Sequence, residues 1–90
     1  MRIARRYLIT GRVQGVGFRY FTQRIAVQHG ITGWVRNTPD GRVEVEAEGD
    51  AEAMHQFERQ LSTGPAGAHV DQVNMTEVAV GPIHSGFSIR

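Results

Sequence analysis

The sequence predicts an α+β fold, a two-layer sandwich whose antiparallel sheet carries two helices on a single face. Three observations lead there. Val43, Val45 and Ala47 alternate with Glu44, Glu46 and Glu48, the period-two pattern of a strand with one buried and one wet face. Phe18 to His29, and a second stretch carrying Ala53, Met54, Phe57 and Leu61, place apolar residues at helical spacing. Strand-like and helix-like segments follow one another as β-α-β-β-α-β. Two helices cannot cover both faces of a four-stranded sheet, so they share one.

Taken in order, Arg5 to Val13 reads as the first strand, with Tyr7, Ile9 and Val13 on one face and Leu8 and Thr10 on the other. Apolar residues on both faces point to a central position in the sheet. A glycine-rich segment then leads into the first helix, Phe18 to His29, whose expected buried stripe is Phe18, Phe21, Ile25 and Gln28, with Gly30 as its stop. Ile31 to Arg36 is a short strand holding the only tryptophan, Trp34, which reads as core or sheet-face packing. Asn37-Thr38-Pro39-Asp40-Gly41 supplies turn chemistry, so this strand and the alternating one form a hairpin. Gly49 ends the return strand and Asp50 stands where a helix N-cap belongs. After the second helix, Gly64 to Gly67 is a loop, and Val70 to Val80 is a further strand broken by Gly81-Pro82. Its expected faces are Val73, Met75, Glu77 and Ala79 against Thr76, Val78 and Val80, with the register open at its start. Phe87 to Arg90 can add a short strand at an edge. The whole is of the ferredoxin-like kind. A chain of 90 residues makes one domain, 1–90, burying roughly 60–65% of the unfolded surface.

The chemistry concentrates between Gly11 and Arg19, GRVQGVGFR, where three glycines separate the first strand from the first helix. Glycine takes positive φ and lets a ligand touch bare backbone. A turn of this kind that opens a helix aims several N–H groups at one spot, and the helix dipole adds to them. Arg19 follows within the first helical turn, and its planar fork matches phosphate oxygens two at a time. The segment reads as an anion site, for a phosphate above all. A nucleotide-hydrolase loop needs GxxxxGK[ST], and the chain has no lysine. A dinucleotide fingerprint needs a third glycine where Tyr20 stands. QGVGFRYF at Gln14 to Phe21 partly matches an RNA-recognition signature, but it precedes the helix that should come before it. Ten arginines against nine acids leave a formal charge of +1, which opposes nucleic-acid binding.

GRVQGVGFR at Gly11 to Arg19, followed by GWVRNTPDGRVEVEAEG at Gly33 to Gly49, resembles the acylphosphatase family, and FSIR at Phe87 to Arg90 is similar to the family's ending. The resemblance spans nearly the whole chain and is loose after Leu61. It implies a ferredoxin-like fold and hydrolysis of acyl phosphates to carboxylate and inorganic phosphate, with no metal and no cofactor. By motif match the family's catalytic arginine corresponds to Arg19 and its catalytic asparagine to Asn37. Its phosphate cradle corresponds to the backbone of Gln14, Gly15, Val16, Gly17 and Phe18.

Plainer readings stand beside these. Arg19 without the loop is a surface arginine, Gly15 and Gly17 can simply make a tight turn, and Asn37 alone is a turn residue whose catalytic role comes from the resemblance. The row of glutamates reads as a solvated sheet face rather than a carboxylate site. His29, His55, His69 and His84 are too dispersed for a metal motif. Two other functions compete: a phosphate-binding module of the kind found in larger carbamoyl-transfer maturation proteins, and an RNA binder. With no cysteine, no signal-like apolar run in Met1 to Thr10 and no membrane span, the expectation is a cytoplasmic monomer acting on a small acyl phosphate, with neither nucleic acid nor membrane as a partner.

Overall fold

The computed structural model describes residues 1–81 and 85–90. Pro82 and His84 therefore lie outside the described residues, and so do the expectations placed on them. The elements are β1 (Arg2–Arg12), α1 (Phe18–Gln28), β2 (Thr32–Asn37), β3 (Val43–Asp50), α2 (Ala51–Thr63), β4 (His69–Val78) and β5 (Phe87–Ile89). They build one sheet in the order β4-β1-β3-β2-β5. β1 runs antiparallel to β3 and β4, and β2 antiparallel to β3, but β5 lies parallel to β2. The sheet is mixed, which corrects the all-antiparallel expectation. A hairpin forces its two strands to oppose. β5 reaches β2 from the far edge of the sheet instead, free of that constraint.

This topology has a consequence for chemistry. β1 and β2 both oppose β3, so β1, β2 and β5 point the same way and end on the same side of the sheet. The glycine segment after β1, Asn37 at the end of β2 and Arg90 after β5 are thereby delivered to one end of the molecule.

Both helices pack on the sheet face that carries Tyr7, Ile9, Val35, Val43, Val45 and Phe87, and these residues form one core with Phe18, Ile25, Met54, Phe57 and Leu61. Phe57 meets the rings of Tyr7 and Phe87 edge-on, with centroids 6.2 and 6.3 Å away. The buried stripe of α1 is Phe18, Thr22, Ile25 and Ala26, whereas Gln28 is exposed. Thr22 tolerates burial because its hydroxyl donates to Phe18 O at 2.8 Å. Asp50 caps α2 as expected, accepting from Glu52 N at 3.3 Å. β1 begins earlier than its alternation suggests, because β3 runs on to Asp50 and gives Arg2, Ile3 and Ala4 partners. The open register at the start of β4 has a local cause. Pairing steps from Thr10↔Gln72 to Gly11↔Val70, leaving Asp71 as the extra residue of a bulge.

The opposite face is not a solvated acidic row. Arg36 Nε meets Glu44 Oε1 at 2.6 Å, Arg6 Nη2 meets Glu46 Oε1 at 2.8 Å, and Arg2 Nη2 meets Glu48 Oε2 at 3.1 Å. Arg36 and Arg6 stand directly opposite their glutamates across the ladder. Glu48 is only 4% exposed and also accepts from Gly81 N at 3.2 Å. Trp34 lies on this face too, beneath the Arg90 guanidinium, 4.7 Å from ring centre to charge. No helix among the described residues is long and apolar enough to cross a membrane.

Phe57 is the side chain that joins α2 to both halves of the sheet. Phe57→Ala should lose about 3–5 kcal/mol in a denaturant titration, through lost burial and the cavity left behind. A loss below about 1 kcal/mol would show that the core does not depend on this contact.

Candidate active site

Two buried side chains, Val13 and Phe18, anchor the ends of the loop that follows β1. Between them Gly15 has φ +76° and Gly17 φ +78°, and no non-glycine residue among those described has positive φ. The sign of φ therefore alternates from Gln14 to Phe18. Such alternation turns successive N–H groups to one side and makes an anion-binding concavity. Among the described residues the amides of Gly15, Val16, Gly17 and Phe18 find no main-chain or side-chain acceptor. Gly17 is the N-cap of α1 and offers no side chain to it, and no acidic residue occupies the first turn. The free amides and the positive end of the helix present donors and partial positive charge, an arrangement that favours an anion.

Val13, Gly15, Gly17, Phe18, Arg19, Tyr20 and Asn37 surround one concavity of about 170 Å³. Of the residues singled out from sequence, Gly15, Gly17, Phe18, Arg19 and Asn37 are thus brought together. Gln14 and Val16 belong to the loop but not to the lining: Val16 leans on the core, and the Gln14 side chain turns to the β2–β3 hairpin. Arg19 Nη1 donates to the main-chain oxygen of Arg90 at 3.2 Å, and among the described residues its guanidinium meets no acidic side chain. Asn37 ends β2 opposite Val43, on the sheet face of Val35, and its amide hydrogen-bonds to no described residue. Tyr20, 73% exposed, forms part of the rim.

Sequence reasoning missed Val13, Tyr20 and Arg90. Tyr20 follows Arg19 directly, and the FSIR ending was the available hint for Arg90. A larger concavity of about 440 Å³ lies between α1 and α2, lined by Phe21, His29, Gln56, Arg59 and Gln60 among others. Its main-chain amides are spent in helix and cap hydrogen bonds, so it offers no comparable donor set. Among the described residues no group of three or more metal-ligating side chains is gathered.

The hairpin beyond Asn37 is held by its own polar contacts. Arg42 Nη2 and Nε reach Asp40 Oδ2 at 2.6 and 3.0 Å, and Thr38 Oγ1 donates to Asp40 Oδ1. The hydrogen bonds from Arg42, with that from Thr38, pull the Asp40 carboxyl down to about 2. A carboxyl more acidic in the folded chain stabilises above its unfolded value of about 4 and loses that contribution as pH falls through the folded value. Asp40→Asn should therefore flatten the acid limb of a melting-temperature profile between about pH 4 and pH 2. Superimposable limbs for the two proteins would contradict the assignment.

A Cβ built on Gly17 meets no atom within 4 Å, so only its backbone conformation resists substitution. Gly17→Ala should strain the loop by about 1–2 kcal/mol. Calorimetry should show weakened inorganic phosphate binding with a small change in melting temperature. Undiminished binding would mean that the loop does not need this φ.

The acylphosphatase family model matches residues 5–89. A relative named acylphosphatase from Koribacter versatilis (strain Ellin345) is 53% identical over 75 residues, covering 83% of this chain and 68% of the relative. The crystal structure of acylphosphatase from Bacillus subtilis superposes with a TM-score of 0.95 at 41% identity, covering 98% of each chain. Full-length HypF, solved in a phosphate- and nucleotide-bound form, matches with a TM-score of 0.88 at 30% identity over 100% of this chain and 12% of that one.

Proposed function

This chain belongs to the acylphosphatase family, a hydrolase lineage acting on acid anhydrides, and from that premise we propose how its residues divide the work. The phosphoryl group of an acyl phosphate sits against the amides of Gly15, Val16, Gly17 and Phe18, with the Arg19 guanidinium on its remaining oxygens. Asn37 holds a water in line with the bond to be broken. The single observation that carries this reading is the run of unpartnered amides around two left-handed glycines, beside an arginine with no acidic side-chain partner among the described residues.

The leaving group sets the demands. A carboxylate departs without help from an acid, and the transition state is loose, with charge spread over the equatorial phosphoryl oxygens. Donors already fixed around those oxygens lower the barrier without reorganising. The water oxygen bonds to phosphorus as the bond to the acyl oxygen breaks, and the electron pair leaves with the carboxylate. The water's proton passes to a phosphoryl oxygen, giving inorganic phosphate. Asn37 cannot take that proton at working pH, but its amide can orient the water through either end.

A second reading, a phosphate-binding domain within a larger protein, draws on the match to one-eighth or so of HypF. Turnover by the isolated 90-residue chain separates the two. Phosphate release from acetyl phosphate should proceed in metal chelator, with inorganic phosphate a competitive inhibitor. Arg19→Lys should be nearly as damaging as Arg19→Gln, because an ammonium cannot span two oxygens. Asn37→Ala should lower kcat by roughly 10²–10³ while phosphate still binds. A wild-type rate for the lysine variant, or activity that returns only with added Mg²⁺, would overturn the reading.

A further inference from the structure

We propose that the Gln14 side chain is a positioning residue for this reaction: it clamps the neck of the β2–β3 hairpin to the glycine loop and so sets where Asn37 stands over the phosphate cradle. The proposal rests on the reading of Asn37 given above and adds a residue to it. The loop and Asn37 come from distant parts of the chain, and catalysis by an oriented water needs a fixed offset between them.

The geometry is specific. Gln14 Nε2 lies 2.8 Å from Thr38 O and 2.8 Å from Arg42 O, the carbonyls on the two sides of the hairpin neck. Carbonyl oxygens only accept, so the NH₂ end of the amide must face them, and both of its hydrogens are used. Thr38 N also donates to Arg42 O at 2.8 Å, so the clamp grips the point where the hairpin closes on itself. The β2–β3 ladder stops at Asn37↔Val43, immediately before this neck. Asn37 is thus flanked by the ladder on one side and by the Gln14 contact on the other. Gln14 in turn directly precedes Gly15, where the cradle begins. One side chain therefore spans the two halves of the concavity without lining it.

Generic fold stabilisation and positioning predict different kinetics, and a double-mutant cycle separates them. kcat for acetyl phosphate, the inhibition constant for inorganic phosphate and the melting temperature would be measured for wild type, Gln14→Met, Asn37→Ala and the double variant. Gln14→Met keeps the length and volume while removing both donors; Gln14→Ala serves as a second variant. Positioning predicts that Gln14→Met lowers kcat by roughly 10–10²-fold, as expected for a small misplacement. Phosphate inhibition should change less than about threefold, because the cradle is main chain. In the Asn37→Ala background the same substitution should have almost no further effect on kcat. Full multiplication of the two losses, or wild-type kcat in both Gln14 variants, would overturn the proposal while leaving Asn37 in place. A kcat loss that merely follows the folded fraction would overturn it as well. Wild-type turnover by Asn37→Ala alone would instead overturn the reading of Asn37, and the clamp's purpose with it.

Discussion

The chemistry proposed for this molecule depends on a backbone constraint: two left-handed glycines, Gly15 and Gly17, set between two buried anchors, Val13 and Phe18. The anchors belong to the core, so the loop cannot drift, and the glycines make the intervening amides converge. A side-chain cap on α1 or an acid in its first turn would have satisfied or repelled what the amides now await, and α1 has neither. Concentrating donors this way costs folding little, since loop amides at the surface can bond to water until a ligand arrives. In the proposed reaction a phosphoryl group displaces that water and meets donors that need no rearrangement.

The sheet gathers the rest. β1, β2 and β5 run in one direction and stop at one end, so the loop, Asn37 and Arg90 arrive together from three separate parts of the sequence. The parallel β5 is what brings the Arg90 oxygen within 3.2 Å of Arg19. It also lays the Arg90 side chain across Trp34 on the far face of the sheet. Arg19 is held there by the Arg90 main-chain oxygen, and no acidic side chain among the described residues competes for its charge.

What could be read from the sequence was local. The glycine segment, the turn at Asn37 to Gly41 and the alternation of Val43 to Glu48 are each settled by neighbouring residues, and their elements came out within a few positions. What could not be read was pairwise. Alternation along β3 shows which glutamates share a face but not that Arg36 and Arg6 stand opposite them, because that follows from register between strands. The bulge at Asp71 is invisible for the same reason. The 3-4-3 spacing from Phe18 through Phe21 and Ile25 runs on to Gln28 and passes Thr22 by, and periodicity cannot see the hydrogen bond to Phe18 O that lets threonine be buried. In the site, Arg19 was readable from the loop chemistry and Asn37 only from the family's motif. Tyr20 and Arg90 emerged once the elements were packed.

The central claim is that the loop amides are the anion's principal ligands, and backbone NMR tests it directly. In a titration of ¹⁵N-labelled protein with inorganic phosphate, the amide protons of Gly15, Val16, Gly17 and Phe18 should shift downfield together, with one saturation curve shared by the Arg19 guanidinium. Shifts that leave these four amides unmoved and cluster instead around His29, Arg59 and Gln60, in the groove between the helices, would contradict it.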